Sequence, residues 1–379
     1  MIYFDNAAST YPKPPAVGRA VGSWLKNNGA NPGRSGHKPA LDAGGVIFDT
    51  RVVISRMFGV SDPENIIFVP NATFGLNFLI QGLLSSGDHV VTTDLEHNSV
   101  LRPLKLLEKS GVSFDAVNVD LYDDGKTVDN ILGHIKKNTR LVICTQCSNV
   151  CGKVMPIREI SRALPENIEL LVDGAQGAGI IPTDIGADGI DYYCAPSHKG
   201  LLGPQGSGFI AVCSRIPNPM IVGGTGSESF NLEQPDYLPD RLESGTLPTP
   251  VIRGMLEGLK FAESVGVDKI FQHKLYLVRY AVNALKSLDG VMTYVDPDKS
   301  LFVGTTCFNV KGSHSDDVAA FLAEHDVCIR SGIHCAPLFH KKMGTEKTGM
   351  VRISFGCYNT VSEIDAFIKI LKKYLKNKT

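Results

Sequence analysis

Lys199 and Asp173 are the residues whose settings point most directly to chemistry. Lys199 lies in Pro196-Ser197-His198-Lys199-Gly200-Leu201-Leu202, after an apolar run at 190–195 that reads as a buried strand. A glycine-rich stretch that fits no regular element, Gly203-Pro204-Gln205-Gly206-Ser207-Gly208, follows it. Burial at a strand end lowers the pKa of an amine and leaves it free to condense with an aldehyde. Taken alone, the stretch also fits a surface lysine in a loop. Asp173 ends a second apolar run, Glu169-Leu170-Leu171-Val172-Asp173, and alone it also fits a turn or helix cap. If both strands belong to one parallel sheet, the two side chains emerge at its carboxyl edge, where open α/β sheets bind ligands. A carboxylate for a pyridinium nitrogen and an amine for an aldehyde are what pyridoxal phosphate needs to act as an electron sink.

A second centre lies far along the chain, in Arg330-Ser331-Gly332-Ile333-His334-Cys335-Ala336-Pro337. Cys335 sits in a Gly/Pro-bounded loop beside a histidine and near Arg330, neighbours that favour the thiolate, the form that attacks sulfur. Arg352 follows and offers a guanidinium suited to bidentate capture of a carboxylate; a structural ion pair is its other reading. Cys144, Cys194, Cys213, Cys307 and Cys328 read as buried, inert thiols. Cys144, Cys147 and Cys151 are spaced C-x2-C-x3-C, but no fourth ligand has a clear spacing, so no metal is expected.

These residues need a scaffold. At 379 residues the chain can bury a large core and is expected to hold two domains. With 38 basic and 39 acidic residues, it has no electrostatic footprint for nucleic acid or an anionic membrane. The first residues lack a signal peptide's basic and apolar regions, and no stretch is long and apolar enough for a membrane span. Nine widely spread cysteines fit reduced thiols and hence a cytoplasmic protein.

Strands are expected at 2–4, 65–70, 89–93, 114–119, 141–145, 301–310, 328–330 and 351–355. Helices are expected from Pro15, along 46–58, around 128–137, over 252–264 and 271–285, and from Ser315. A last helix is signed by Thr360, with Glu363 three residues on. The alternation predicts an α/β fold with a mostly parallel sheet. Asn71-Ala72-Thr73 falls where a strand gives way to a helix, so its amides could hold a phosphate or simply open the helix. His37 and Arg34 lie in a polar loop at 31–37.

Val172-Asp173-Gly174-Ala175-Gln176 followed by the Lys199 segment resembles the class V aminotransferase family of pyridoxal-phosphate enzymes. The similarity runs from Phe4-Asp5-Asn6-Ala7-Ala8-Ser9-Thr10 to Val351-Arg352-Ile353-Ser354-Phe355-Gly356-Cys357-Tyr358-Asn359-Thr360, and within the family it points to the cysteine desulfurase and selenocysteine lyase branch. The resemblance implies an aspartate-aminotransferase-like fold (fold type I), with a large cofactor-binding domain over 15–250. A smaller α/β domain would combine 1–14 with 251–379 and carry the cysteine loop.

It further implies that Lys199 holds the cofactor, Asp173 its ring nitrogen and Gln176 its phenolic oxygen, while His97 stacks on the ring. Thr73, Ser197 and His198 would hold the phosphate with the Ala72 backbone, joined across a homodimer interface by Thr246. Asn149 would contact cofactor or substrate, Arg352 would orient the substrate, and His37 and Arg34 would border the site. The chain departs from the family in having Asn71-Ala72-Thr73 for a Gly-Thr-Thr-like triplet and Ile333-His334 for a histidine pair. The implied activity is desulfuration of L-cysteine to L-alanine with a persulfide on Cys335, and the implied partner is a sulfur-acceptor protein. Selenocysteine lyase, another class V aminotransferase or lyase, and a catalytically idle thiol or metal-binding protein are the alternatives.

Overall fold

The computed structural model describes residues 1–33 and 35–377. Its strands are β1 (Ile2–Tyr3), β2 (Ile66–Val69), β3 (His89–Thr93), β4 (Ser113–Val117), β5 (Thr139–Thr145), β6 (Glu169–Asp173) and β7 (Tyr192–Pro196). There follow β8 (Gly208–Val212), β9 (Val291–Thr293), β10 (Thr305–Val310), β11 (Val327–Cys328), β12 (Arg330–Gly332) and β13 (Met350–Ser354).

Seven strands form one sheet in the order β2-β8-β7-β6-β5-β3-β4. Only β8 is reversed, pairing antiparallel with both β2 and β7; the other pairs are parallel. The carboxyl ends of β2, β3, β5, β6 and β7 therefore share one edge. Every residue of β6, β7 and β8 is buried, as expected for strands covered on both faces. Successive residues enter different apolar clusters: Val142, Val172 and Tyr193 pack on one side, and Leu141, Leu171 and Tyr192 on the other.

A four-stranded antiparallel sheet, β12-β13-β10-β9, and the parallel pair β1–β11 are built from the two ends of the chain. Phe4 joins these ends, packing edge-on against Phe355 at 5.1 Å and Phe367 at 5.9 Å. The helix Thr249–Val265 packs on the helices Pro15–Asn27 and Lys38–Phe58.

The expected mostly parallel α/β architecture is present, and local signals were reliable where both partners lie close in sequence. Thr360 and Glu363 make a complete capping box at the start of the helix Val361–Lys376. The helix expected around 128–137 lies at Asp124–Gly133, because the Asp123 side chain accepts from the Lys126 amide and fixes the start. The strand expected over 328–330 is two strands, since Cys328 pairs with β1 while Arg330 pairs with β13. Cys144, Cys194 and Cys307 are buried as expected, but Cys213, just past the end of β8, is exposed and Cys328 is half-buried.

Candidate active site

Five strand ends and the two chain ends converge on a cavity of about 220 Å³. Its lining includes Ala72, Thr73, His97, Asn149, Asp173, Gln176, His198, Lys199, Cys335 and Arg352. The structure thus brings together ten residues singled out in sequence, from segments more than 250 positions apart.

Lys199 follows β7 in a turn closed by the bond from the Leu202 amide to its carbonyl. Burial pulls its amine down to about 8, against the opposing effect of Asp173. The N-terminal segment fixes its backbone. Thr10 donates its amide to the His198 carbonyl at 3.0 Å and its hydroxyl to the Lys199 carbonyl at 2.8 Å, while Lys13 Nζ donates to the His198 carbonyl at 2.6 Å. Asp173, at the end of β6, is 2% exposed and accepts the Ala175 amide at 2.9 Å. Burial raises its carboxyl pKa, whereas that bond and the Lys199 charge pull it down.

After β3, the His97 Nδ1 caps the helix Asn98–Leu107 by accepting the Ser99 amide at 3.0 Å, which leaves the neutral ring's proton on Nε2. Burial, with help from Lys199, lowers the His97 pKa to about 4, so the ring is uncharged near neutrality. The preceding Glu96 is fully buried and accepts from Thr93 Oγ1 at 2.6 Å and the Thr145 amide at 2.9 Å. It ties the end of β3 to the end of β5, and burial raises its carboxyl to about 8.

At the start of the helix Ala72–Leu83, the Asn71 side chain caps the Phe74 amide at 2.9 Å. The preceding amides, of Ala72 and Thr73, belong to the set a helix cannot satisfy internally, and both residues line the cavity. The buried Ser197 hydroxyl and the His198 Nδ1 have no hydrogen-bond partner among the described residues. A helix start and an unpartnered imidazole nitrogen at the cavity, with the unpartnered hydroxyl of the adjacent Ser197 just outside the cavity lining, form a donor set that suits a phosphate.

Gln176 donates to the Ala7 carbonyl at 2.9 Å. Asn149 donates to the His334 carbonyl at 2.7 Å, and the Asn98 amide donates to the Cys335 carbonyl at 2.8 Å. These two bonds hold His334 and Cys335 in consecutive left-handed conformations, with φ of +53° and +56°. Each such residue costs about 1–3 kcal/mol, so the cysteine is presented on a strained turn. His334 departs from its expected part: it is buried, stacked on His340 at 5.7 Å, and pushed down to a pKa of about 2 by burial. It is therefore neutral, and of the two neighbours expected to favour a thiolate only Arg330, which lines the cavity, carries charge.

Thr246 is not part of this cavity; it lines a separate apolar pocket with Phe68, Phe74 and Leu242. His37 caps the helix Lys38–Phe58 through Nδ1 and also lies outside the cavity lining, while Arg34 falls outside the described residues. Cys147 packs in a different apolar cluster from Cys144 and Cys151, and burial raises all three thiol pKa values. The reading of residue types did not single out Ala7, Ser99 or Thr145, which line the cavity, or Asp5 and Thr10, which brace it. The similarity of Asp5-Asn6-Ala7-Ala8 to the family was the one signal that could have found the N-terminal members.

A buried lysine and aspartate at adjacent parallel strand ends, joined by a phosphate-type donor set, define a fold type I α/β site. Residues 2–367 match the aminotransferase class-V family, and the chain belongs to that family. It is 32% identical over 386 residues to a probable cysteine desulfurase of Methanothermobacter thermautotrophicus, covering 98% of this chain and 94% of the relative. A probable cysteine desulfurase of Pyrococcus abyssi is 30% identical over 396 residues, covering 100% and 95%. Among solved structures, an apo cysteine desulfurase from Thermococcus onnurineus NA1 aligns with a TM-score of 0.90 at 29% identity, covering 99% and 95%.

Proposed function

We propose that the protein is a pyridoxal-phosphate-dependent cysteine desulfurase that converts L-cysteine to L-alanine and leaves a persulfide on Cys335. The observation that carries this reading is one cavity holding Lys199, Asp173, Arg352 and the strained Cys335 turn. The phosphate would rest on the Ala72 and Thr73 amides, Ser197 and His198, and Asp173 would face the ring nitrogen. His97 would stack on the ring, and Gln176 keeps a second amide hydrogen for the phenolic oxygen. Asn149 acts from the substrate side and latches the cysteine turn.

Bound pyridoxal phosphate supplies an electron sink for the pair left on the substrate carbon. Lys199 takes the α-proton and returns a proton to the product, a role suited to an amine near neutrality. Arg352 orients the substrate carboxylate. The Cys335 thiolate attacks the substrate sulfur; the new S–S bond forms as the substrate Cβ–S bond breaks. The pair from that bond stays with the carbon fragment and is protonated, so cysteine plus enzyme thiol gives alanine plus enzyme persulfide. That persulfide would pass to a sulfur-acceptor protein. Nine free thiols support a reducing, cytoplasmic setting.

The position of Thr246 outside its own chain's cavity supports a homodimer in which the partner subunit's Thr246 completes the phosphate site. A fully active monomer by light scattering would remove that part of the reading. The direct test is alanine release from L-cysteine and L-selenocysteine side by side. Alanine from both is expected; alanine from selenocysteine alone would make the protein a selenocysteine lyase, and alanine from neither would end both readings.

Gly203 gives an independent check on the phosphate site. A methyl group there would lie 1.9 Å from Ser197 Oγ and 3.0 Å from the Met255 Cα. Gly203→Ala is expected to displace Ser197 and lower cofactor retention several-fold after gel filtration, with far-UV circular dichroism unchanged. Retention equal to wild type would show that Ser197 does not hold the phosphate.

A further inference from the structure

Arg352, assigned above to the substrate carboxylate, is already engaged without it. Its Nη2 donates to Asp5 Oδ1 at 2.7 Å, its Nη1 donates to the Asn149 carbonyl at 3.0 Å, and its Nε is buried with no partner among the described residues. The Arg352 side chain is 3% exposed and that of Asp5 22%. Asp5 is held there by its backbone. It bridges to Ser354, and the next residue, Asn6, is fixed by bonds to the Ser354 carbonyl and the Asn359 side chain.

The surroundings carry excess positive charge. Arg330 lies directly opposite Arg352 in the β12–β13 register, a like-charge pairing that is unfavourable unless anions relieve it. Both line the cavity with Lys199. Asp5 is the only acid paired with either arginine among the described residues. Its carboxylate occupies one arm of the fork that would grip a substrate carboxylate.

We propose that Asp5 sets the strength of carboxylate recognition: an incoming α-carboxylate must share the Arg352 guanidinium with it, so Asp5 holds affinity down and hastens product release. The inference rests on the assignment of Arg352 to the substrate carboxylate. Asp5→Asn keeps an acceptor oxygen for Nη2 and removes the charge, while the Asn149 carbonyl still orients the guanidinium. The freed positive charge then favours any small carboxylate and is indifferent to an amine lacking one.

The test is calorimetric binding of L-alanine, acetate and ethylamine to the holoenzyme at fixed ionic strength. For Asp5→Asn, Kd should fall about tenfold for both carboxylates, the scale of one nearby charge in a partly buried site, and stay unchanged for ethylamine. Asp5→Ala should move carboxylate Kd in the same direction. Unchanged carboxylate binding in Asp5→Asn, or weaker binding in Asp5→Ala, would make Asp5 a brace and overturn the proposal. Arg352→Ala separates the two layers: if it leaves the L-alanine and acetate Kd values unaltered, the assignment of Arg352 fails and the proposal with it. None of these arms requires turnover, so failure to release alanine from cysteine would count against the desulfurase reading alone.

Discussion

Lys199→Ala is expected to abolish covalent retention of pyridoxal phosphate and to lower alanine release by at least roughly a thousandfold, since both the anchoring amine and the proton carrier are lost. Asp173, the helix start at Ala72 and the Ser197 hydroxyl remain, so the variant should still bind the cofactor reversibly. Borohydride trapping reads the difference; cofactor trapped in the variant at the wild-type level would sink the assignment of Lys199. The same amine sets a pH dependence in the wild-type protein. Burial lowers its pKa from 10.5 to about 8. The reactive form is the neutral one, so cofactor uptake by the apoprotein should rise with pH and reach half its maximum near 8. At pH 7 about a tenth of such a lysine is neutral, against less than a thousandth for an unperturbed one. Uptake that keeps rising beyond pH 9 would show that the burial effect is absent.

Cys335→Ala should separate the cofactor from the sulfur acceptor. The turn at Cys335 is held through its backbone, by the Asn98 amide on its own carbonyl and by Asn149 on the preceding one. Alanine occupies the left-handed region no worse than cysteine, so the turn should survive and cofactor content should match wild type. Alanine and persulfide production from cysteine should both collapse, by about a hundredfold or more, because no thiolate remains to take sulfur. Selenocysteine turnover should persist in part, since a selenol ionises and departs more readily than a thiol. Alanine released from cysteine at the wild-type rate would mean that Cys335 is not the acceptor, and the chemistry would then be that of a lyase or aminotransferase on the same scaffold.

The sequence alone determined the features whose cause is local. The apolar runs that end at Asp173 and shortly before Lys199 specify buried strands, and a residue at the end of such a strand in a parallel sheet is delivered to the ligand-binding edge. Thr360 and Glu363 announce their helix because both halves of the capping box lie within four residues. The reversal of β8 and the division of 328–330 between two sheets were not legible, because each depends on which strand arrives alongside. Thr246 was marked by resemblance, yet only the fold shows that it lies outside its own chain's cavity.

Tertiary structure also decided the electrostatics. Next to Cys335 in sequence, His334 looked like a charge for the thiolate; burial against His340 makes it neutral. Asp5 and Arg352 stand 347 residues apart and meet at 2.7 Å because Asp5, just past β1, bridges to Ser354 at the end of β13. Sequence fixes which groups can ionise, but burial and neighbours fix which of them do. Both are properties of distance through space, and only the folded chain sets that distance.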